Sequence, residues 1–515
     1  MALLLTPELF AWLLVVIATL LLLKQLLAAP AKKRAAVSDS PSLPHPRGLP
    51  LVGNLHQLGA LPQDSLAALA ARHAAPLMLL RLGSVPTLVV SSPDAARAVF
   101  QHNDRALSGR PALYAAARIS YGFQNISFAP PDGAFWRAAR RACLSELLGA
   151  PRVRGFRHAR EGEAAALVAA VADASGAGAP VNLSELLVTT SNRIVRRVAF
   201  GSHDGGEGPM ETRAILKETQ NLLGAFWVAD YVPWLGWLDA LRGLRGRLER
   251  NFHQLDAFYE SVIDSHLHKR TSADDDEDLV DVLLRLHRDP AHGSTFGSRD
   301  QIKGILTDMF VAGTDTSAAT VEWTMTELVN HPDVLAKAQH EVRSVVGDGA
   351  DMVREPDLRG LGYLKLVIKE SMRLHPPAPL LVPRETIEPC TMQGSEIPAG
   401  TRVLVNAKAI GAHPGAWGAD AARFVPERHS EVDAGKDFRP WVEDSFALVP
   451  FGIGRRSCPG VHFATAVVEL VLANLLFSFD WHAPLGEAVD AEEENGLTVY
   501  RKNPLVLLAK RAVRE

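Results

Sequence analysis

The alternation of apolar and polar positions divides this 515-residue chain into three stretches. Residues 9–23 are fifteen uncharged, strongly apolar positions, continued past Lys24 by Leu26, Leu27, Ala28 and Ala29. With Lys24 snorkelling, such a stretch is long enough to cross a bilayer. No positive charge precedes it, whereas Lys32-Lys33-Arg34 follow directly, an asymmetry that keeps the downstream chain cytosolic. The expectation over 1–30 is a retained transmembrane helix, the alternative being a signal peptide cleaved near Ala28-Ala29-Pro30. Residues 31–55 are basic, then proline-rich: Pro41, Pro44, Pro46 and Pro50 fall within ten positions. That excludes a helix and predicts a stiff, extended hinge. Residues 56–515 remain for one body.

Within the body, helical periodicity dominates, and the expected class is mainly α with small β-sheets. Residues 77–90 alternate around Gly83-Ser84 and read as strand, turn and strand. Ser91-Ser92-Pro93-Asp94 then caps a helix. Glycine, proline and aromatics break every period from 106 to 131, predicting a long loop. The longest helical pattern runs from Gln301 to Asn330 and stops at His331-Pro332. Ala312-Gly313-Thr314-Asp315-Thr316-Ser317 sits in its middle, where glycine and back-bonding hydroxyls weaken a helix, so a polar kink is expected there. Residues 397–406 read as a strand pair around Pro398-Ala-Gly400. The glycine-rich stretch 201–208 and the acidic run 274–278 read as exposed loops.

Composition narrows the function. Lysine and arginine number 54 against 58 acidic residues, a net charge of −4, and no basic block suggests a nucleic-acid surface. Three cysteines, Cys143, Cys390 and Cys458, cannot build a disulfide framework, and none forms a C-x-x-C pair for zinc. The chain reads as living in a reducing compartment, with the sequons at Asn125 and Asn182 unglycosylated.

The chemistry concentrates in Phe451-Gly-Ile-Gly454-Arg-Arg456-Ser-Cys458-Pro-Gly460. A cysteine ligates iron only as a thiolate. Gly454 and Gly460 allow close approach of a flat group, and Arg456 suits a carboxylate. Pro459 fits a first helical position, which would set the sulfur at the N-terminus of the apolar helix that follows. Phe-x-x-Gly-x-Arg-x-Cys-x-Gly should arise by chance in on the order of one chain in ten thousand.

These ten residues resemble the haem-binding loop of the cytochrome P450 monooxygenases, and further motifs extend the resemblance from about residue 42 to the C-terminus. Pro50-Leu-Val-Gly53-Asn54 resembles the end of the microsomal hinge. Trp136-Arg-Ala-Ala-Arg140 resembles the family's propionate-binding helix, with indole and guanidinium on one face able to share a carboxylate. The Ala-Gly-Thr-Asp-Thr-Ser segment carries Asp315 and Thr316, to which the resemblance assigns relay of solvent protons toward the haem. Glu370, Arg373 and Arg428 match a buried ion network, although His429 stands where an aromatic Phe is usual. Arg384 resembles a further propionate partner, and the wording is closest to plant microsomal A-type members.

The resemblance implies a P450 fold holding haem b, with Cys458 as iron ligand and Trp136, Arg140, Arg384, Phe451, Arg456 and Gly460 around the cofactor. It implies insertion of one oxygen atom into an apolar small molecule, such as a flavonoid, phenylpropanoid, terpenoid or alkaloid. The expected pocket comprises 119–128, the Phe226 region, 309–312, 378–382 and 496–498. Electrons would come from NADPH-cytochrome P450 reductase, with the body on the cytosolic face of the endoplasmic reticulum. The aromatic stretch Asp230-Tyr-Val-Pro233-Trp234-Leu-Gly-Trp237 would roof the pocket and touch the membrane. Two alternatives are a same-fold enzyme that rearranges hydroperoxides without oxygen, and a haem sensor or carrier without turnover.

Overall fold

A computed structural model describes residues 43–201, 209–268, 277–289, 296–347, 349–429, 446–484, 486 and 488–512. The expected membrane helix, the basic part of the hinge, the loop 202–208, residues 274–276 of the acidic run and 430–445 lie outside these. Elements used below are labelled in chain order.

The described end of the hinge folds back: Leu49 and Gly53 exchange backbone hydrogen bonds of 2.9 Å, and Gly53 bridges to Leu82. A Cβ on Gly53 (φ +56°) would sit 1.9 Å from the carbonyl oxygen of Arg81, so no other residue fits. Buried Asn54 secures the turn, donating to Pro46 O (3.1 Å) and accepting from Arg81 N (2.8 Å). The Pro-x-x-Gly-Asn pattern is therefore a docking turn against the sheet.

That sheet contains β1 (Leu77–Leu82) and β2 (Val85–Val90), antiparallel as the alternation predicts. Its other strands are β3 (Arg384–Glu385) and β4 (Arg402–Val405), in the order β1-β2-β4-β3. β4 runs parallel to β2, so it does not form the local pair expected over 397–406. The Ser92 side chain caps the next helix by accepting from Ala95 N (3.1 Å). The expected loop 106–131 contains a short helix, Tyr114–Ile119.

Six helices build the site: α1 (Ala134–Ala142), α2 (Leu183–Phe200), α3 (Pro209–Gly224), α4 (Arg299–Asn330), α5 (Gly362–Leu374) and α6 (Val461–Ser478). α4 packs against α2, α5 and α6, and starts at a capping box in which Ser298 and Gln301 exchange hydrogen bonds. It runs unbroken through 312–317, so the expected kink is not a break. The hydroxyls of Thr307, Thr314, Thr316, Thr320, Thr324 and Thr326 each donate to the carbonyl four residues earlier, keeping buried hydroxyls satisfied inside the helix. α6 is apolar enough to cross a membrane, yet it lies in the core, with Val468, Leu470, Leu472, Leu475 and Leu476 fully buried. Asp278, the end of the acidic run, is buried: its carboxylate caps the helix Leu279–Arg288.

Candidate haem site

The loop before α6 owes its shape to two glycines. Gly452 and Gly454 have φ of +79° and +61°, and a Cβ on Gly454 would sit 1.9 Å from Asp104 Oδ1. Asp104 can therefore grip the loop, accepting from Arg455 Nε at 2.9 Å. The Cys458 N–H donates to Phe451 O at 2.8 Å and closes the turn. Helix α6 starts two residues later than the sequence suggests: Val461 is its first residue, Gly460 its N-cap, and Pro459 precedes both. The Gly460 N–H donates to Cys458 Sγ at 3.3 Å. Burial pushes the thiol pKa up, while this N–H and Arg140 pull it down without cancelling the rise. The sulfur is accessible from a cavity of about 270 Å³, which Phe451 and Gly460 also line.

Arg110, Arg140, Arg384 and Arg456 all line this cavity. Arg456 donates to the carbonyls of Ser108 (2.8 Å), Ile126 (3.0 Å) and Ala129, with its guanidinium over the Trp136 ring. Trp136 Nε1 also donates to Ile126 O (3.1 Å), and Arg140 donates to Ser457 O (2.9 Å). The Trp136 indole N–H is thus engaged in holding the 126–129 loop, while Arg140 is turned toward Ser457. Arg384 donates to Ile453 O, and its buried Nη1 makes only a 3.7 Å ion-pair contact with Asp104. Arg110, which the sequence reading missed, donates to Ser127 O (2.9 Å) and to the carbonyls of Val382 and Pro383. Burial lowers all four guanidiniums, and repulsion from neighbouring arginines adds to it for Arg110, Arg384 and Arg456: Arg384 falls to about 10 and Arg456 to about 9.

Across the cavity, α4 presents Met309, Ala312, Gly313 and Thr316, facing Ile126, Ala378, Leu381 and Val382. Thr316 Oγ1 donates to Ala312 O at 2.7 Å. Asp315 lies elsewhere. Successive helix residues point about 100° apart, and Asp315 lines a separate, polar cavity of about 720 Å³. Burial pushes its carboxyl up to about 6, against Tyr500, Lys217 and Arg213. Phe226, Gly496, Leu497 and Thr498, expected to line the substrate pocket, line this second cavity too.

Asp308, a further α4 residue, was also missed. Its carboxylate accepts from Ile126 N (2.6 Å), Ser127 N (3.0 Å) and Asn125 Nδ2 (2.8 Å), tying the loop to the helix. The available signal was a lone acid in the apolar run Ile305-Leu-Thr-Asp308-Met-Phe.

Beneath the loop, fully buried Glu370 accepts from Arg373 (2.7 and 2.8 Å), Arg428 (2.8 Å) and Val425 N (2.9 Å). His429, the departure noted in the sequence, joins them at 2.9 Å from Glu370 Oε2. Burial would raise the Glu370 carboxyl, but Arg373, then His429, bring it down to about 2.

The cytochrome P450 family profile matches residues 43–508. The chain belongs to the cytochrome P450 family. It is 48% identical to cytochrome P450 71A9 of Glycine max over 501 residues, covering 95% of this chain and 96% of that protein. It is 46% identical to strychnine-11-hydroxylase of Strychnos nux-vomica (93% of each chain) and to cytochrome P450 71A1 of Persea americana (89% and 91%). A zebrafish cytochrome P450 solved with progesterone shares the fold, with a TM-score of 0.73 at 23% identity over 88% of this chain and all of that one. This P450 is therefore a haem-thiolate monooxygenase of the plant 71 type. Its residues fit the cofactor. Four guanidiniums converge on a cavity wall with acids too few to neutralise them, which suits a planar group carrying two carboxylates.

Proposed function

We propose that Cys458 would ligate the iron of haem b, and that Arg110, Arg140, Arg384 and Arg456 would hold its propionates. One observation carries this reading: the Cys458 sulfur, the arginine cluster and the Thr316 face of α4 all open on one cavity. When bound, a thiolate-ligated haem supplies O–O cleavage, so that one oxygen atom enters the substrate and the other leaves as water. The chain's residues do the rest. Gly460 N–H and Arg140 favour the thiolate; Thr316 holds a proton on the opposite wall, and Asp315, in the neighbouring polar cavity, is the acid that supplies it. Met309, Ala312, Ala378, Leu381 and Val382 select an apolar substrate and exclude water. The substrate class is a plant specialised metabolite, in keeping with a relative whose name records hydroxylation of the alkaloid strychnine.

The reading includes NADPH-cytochrome P450 reductase as electron donor and the cytosolic face of the endoplasmic reticulum as location. An exposed apolar face supports the membrane. Leu49, Leu51 and Val52 of the hinge turn are exposed, as are Phe226, Trp234, Trp237 and Leu241. The turn between β1 and β2 joins the two groups, Gly83 N donating to Val52 O (3.0 Å) and Ser84 N to Tyr231 O (2.8 Å). The face thus adjoins the hinge leading to the N-terminal apolar segment. Expression in microsomes with the reductase tests the whole reading. A thiolate-type Soret band under carbon monoxide after reduction is expected, with NADPH-dependent conversion of a member of a metabolite panel. Turnover of hydroperoxides without NADPH would overturn it.

A further inference from the structure

Arg384 keeps a buried donor unspent. Its Nη2 donates to Ile453 O, and its guanidinium lies over the Phe100 ring, 4.8 Å from the centroid. Nη1 has no hydrogen-bond partner, although a carboxylate stands close by, with Asp104 Oδ1 3.7 Å away. That separation needs a cause, because an acid beside a buried cation gains most by closing to hydrogen-bond distance.

The cause lies on the other side of Asp104. Arg455 Nε donates to Oδ2 at 2.9 Å, and the Arg455 backbone N–H reaches both carboxylate oxygens at 3.3 Å. Gly454 admits the carboxylate, since a Cβ there would sit 1.9 Å from Oδ1. The Asp104 backbone is itself anchored. It caps the end of the helix Pro93–Asn103, and just beyond it the chain is bonded to β3 and its continuation. Ile387 N donates to Ala106 O (2.8 Å), and Glu385 N to Gly109 O (3.0 Å). One carboxylate is thus placed between two cations in unlike surroundings: the Arg455 side chain is 44% exposed, that of Arg384 only 4%. Solvent weakens the first attraction, and burial strengthens the second. The hydrogen bonds nevertheless go to Arg455.

We propose that Arg455 and Asp104 form a latch that keeps Arg384 open to a carboxylate in the cavity. Arg455 retains Asp104 on the outer side of the loop, close enough to Arg384 to balance charge and too far to use Nη1. Without that retention, Asp104 closes on Arg384 and competes with the carboxylate of the cofactor. The inference rests on the reading that Arg384 would hold a haem propionate. Neither Asp104 nor Arg455 is among the residues lining the cavity, so both are positioning residues that act through Arg384.

The test follows, by absorbance, haem leaving the purified ferric full-length enzyme for excess haem-free myoglobin. It compares Arg455→Met, Asp104→Asn, the double variant and Arg384→Met with the parent. Carbon monoxide spectra after reduction first establish equal amounts of intact enzyme. Arg455→Met should lose haem about tenfold faster than the parent, the worth of roughly one charge-assisted hydrogen bond. Asp104→Asn should lose it at the parental rate, because a neutral amide competes weakly. Adding Asp104→Asn to Arg455→Met should restore the parental rate, and Arg384→Met should be at least as fast as Arg455→Met. A role confined to bracing the Cys458 loop predicts otherwise. Asp104→Asn alone would then speed the loss and the double variant would stay fast, and either result overturns the latch. If Arg384→Met keeps the parental rate, the reading that Arg384 holds a propionate falls and the proposal with it. If Arg384→Met is fast and Arg455→Met is not, only the latch falls.

Discussion

Glu370 with its arginines and the arginine cluster beside Cys458 are both built from buried guanidiniums, yet they balance charge in opposite ways. Arg373 is fully buried and makes two bonds to Glu370 and others to the carbonyls of Gly411, Ala421 and Arg423. Glu370 in turn holds Arg428 and His429, and its proton affinity falls to about 2. Around the cavity the arginines donate mostly to backbone carbonyls; burial first, and then repulsion from one another, brings Arg384 and Arg456 down to about 10 and about 9. That repulsion comes from positive charge that Asp104 and Asp308 offset only in part. The first cluster is a brace, complete in itself. The second is a receptor for carboxylates from elsewhere.

The largest effect comes from the sulfur that the receptor serves. Cys458→Ser should abolish the thiolate-type carbon monoxide band and NADPH-dependent product formation at unchanged expression, and full turnover would refute the ligand assignment. Glu370→Ala breaks the brace. It leaves buried cations uncompensated and should cost about 3–5 kcal/mol, seen as a collapse of soluble protein or of its unfolding midpoint. Arg384→Met sharpens the contrast, because removing one of several like charges relieves repulsion. The haem-free protein should melt at the same temperature or higher, while haem content at a given haem supply drops several-fold. A stability loss in Arg384→Met matching that of Glu370→Ala would erase the distinction.

Where a role is written within one turn or one strand, the sequence shows it. The alternation over 77–90, the Ser92 cap, the spacing around Cys458 and the Glu370-x-x-Arg373 pair all survive in the structure. Roles made by contacts across distant segments were not visible. Arg110 acquires its place only when Val382 and Pro383 come to it, and Asp308 only when the 125–127 loop folds onto α4. Adjacency also misled. Asp315 and Thr316 look like one unit, but helix rotation and packing against α2 and α3 send them to different cavities. Phe226 and Gly496–Thr498, expected in the substrate pocket, line the polar cavity instead. His429 looked like a defect and is a fourth member of the brace, since an imidazole can bond to the carboxylate where a phenyl ring cannot.

The two regions should also separate by pH, with opposite signs. Glu370 has its folded pKa lowered from 4.5 to about 2, so the stability it contributes is present above 4.5 and lost as pH falls through about 2. Asp308, on the cavity side, is pushed from 3.8 up to about 6, by burial first and against its N–H donors. The folded state therefore binds its proton more tightly than the unfolded chain, and that contribution is present below 3.8 and lost as pH rises through about 6. A rise of about two units corresponds to on the order of 3 kcal/mol. Asp308→Asn isolates this. The amide oxygen can still accept both backbone N–H groups that now share Oδ2, from Ile126 and Ser127. The bond from Asn125 Nδ2 to Oδ1 is lost, a penalty of about 1 kcal/mol at every pH. Urea unfolding should therefore find the variant less stable than the parent at pH 4. Its stability should stay flatter between pH 4 and 6, and the two curves should cross before pH 7. Parallel curves through that window would show that Asp308 is not charged at the cost its burial implies, and the contrast with Glu370 would fail.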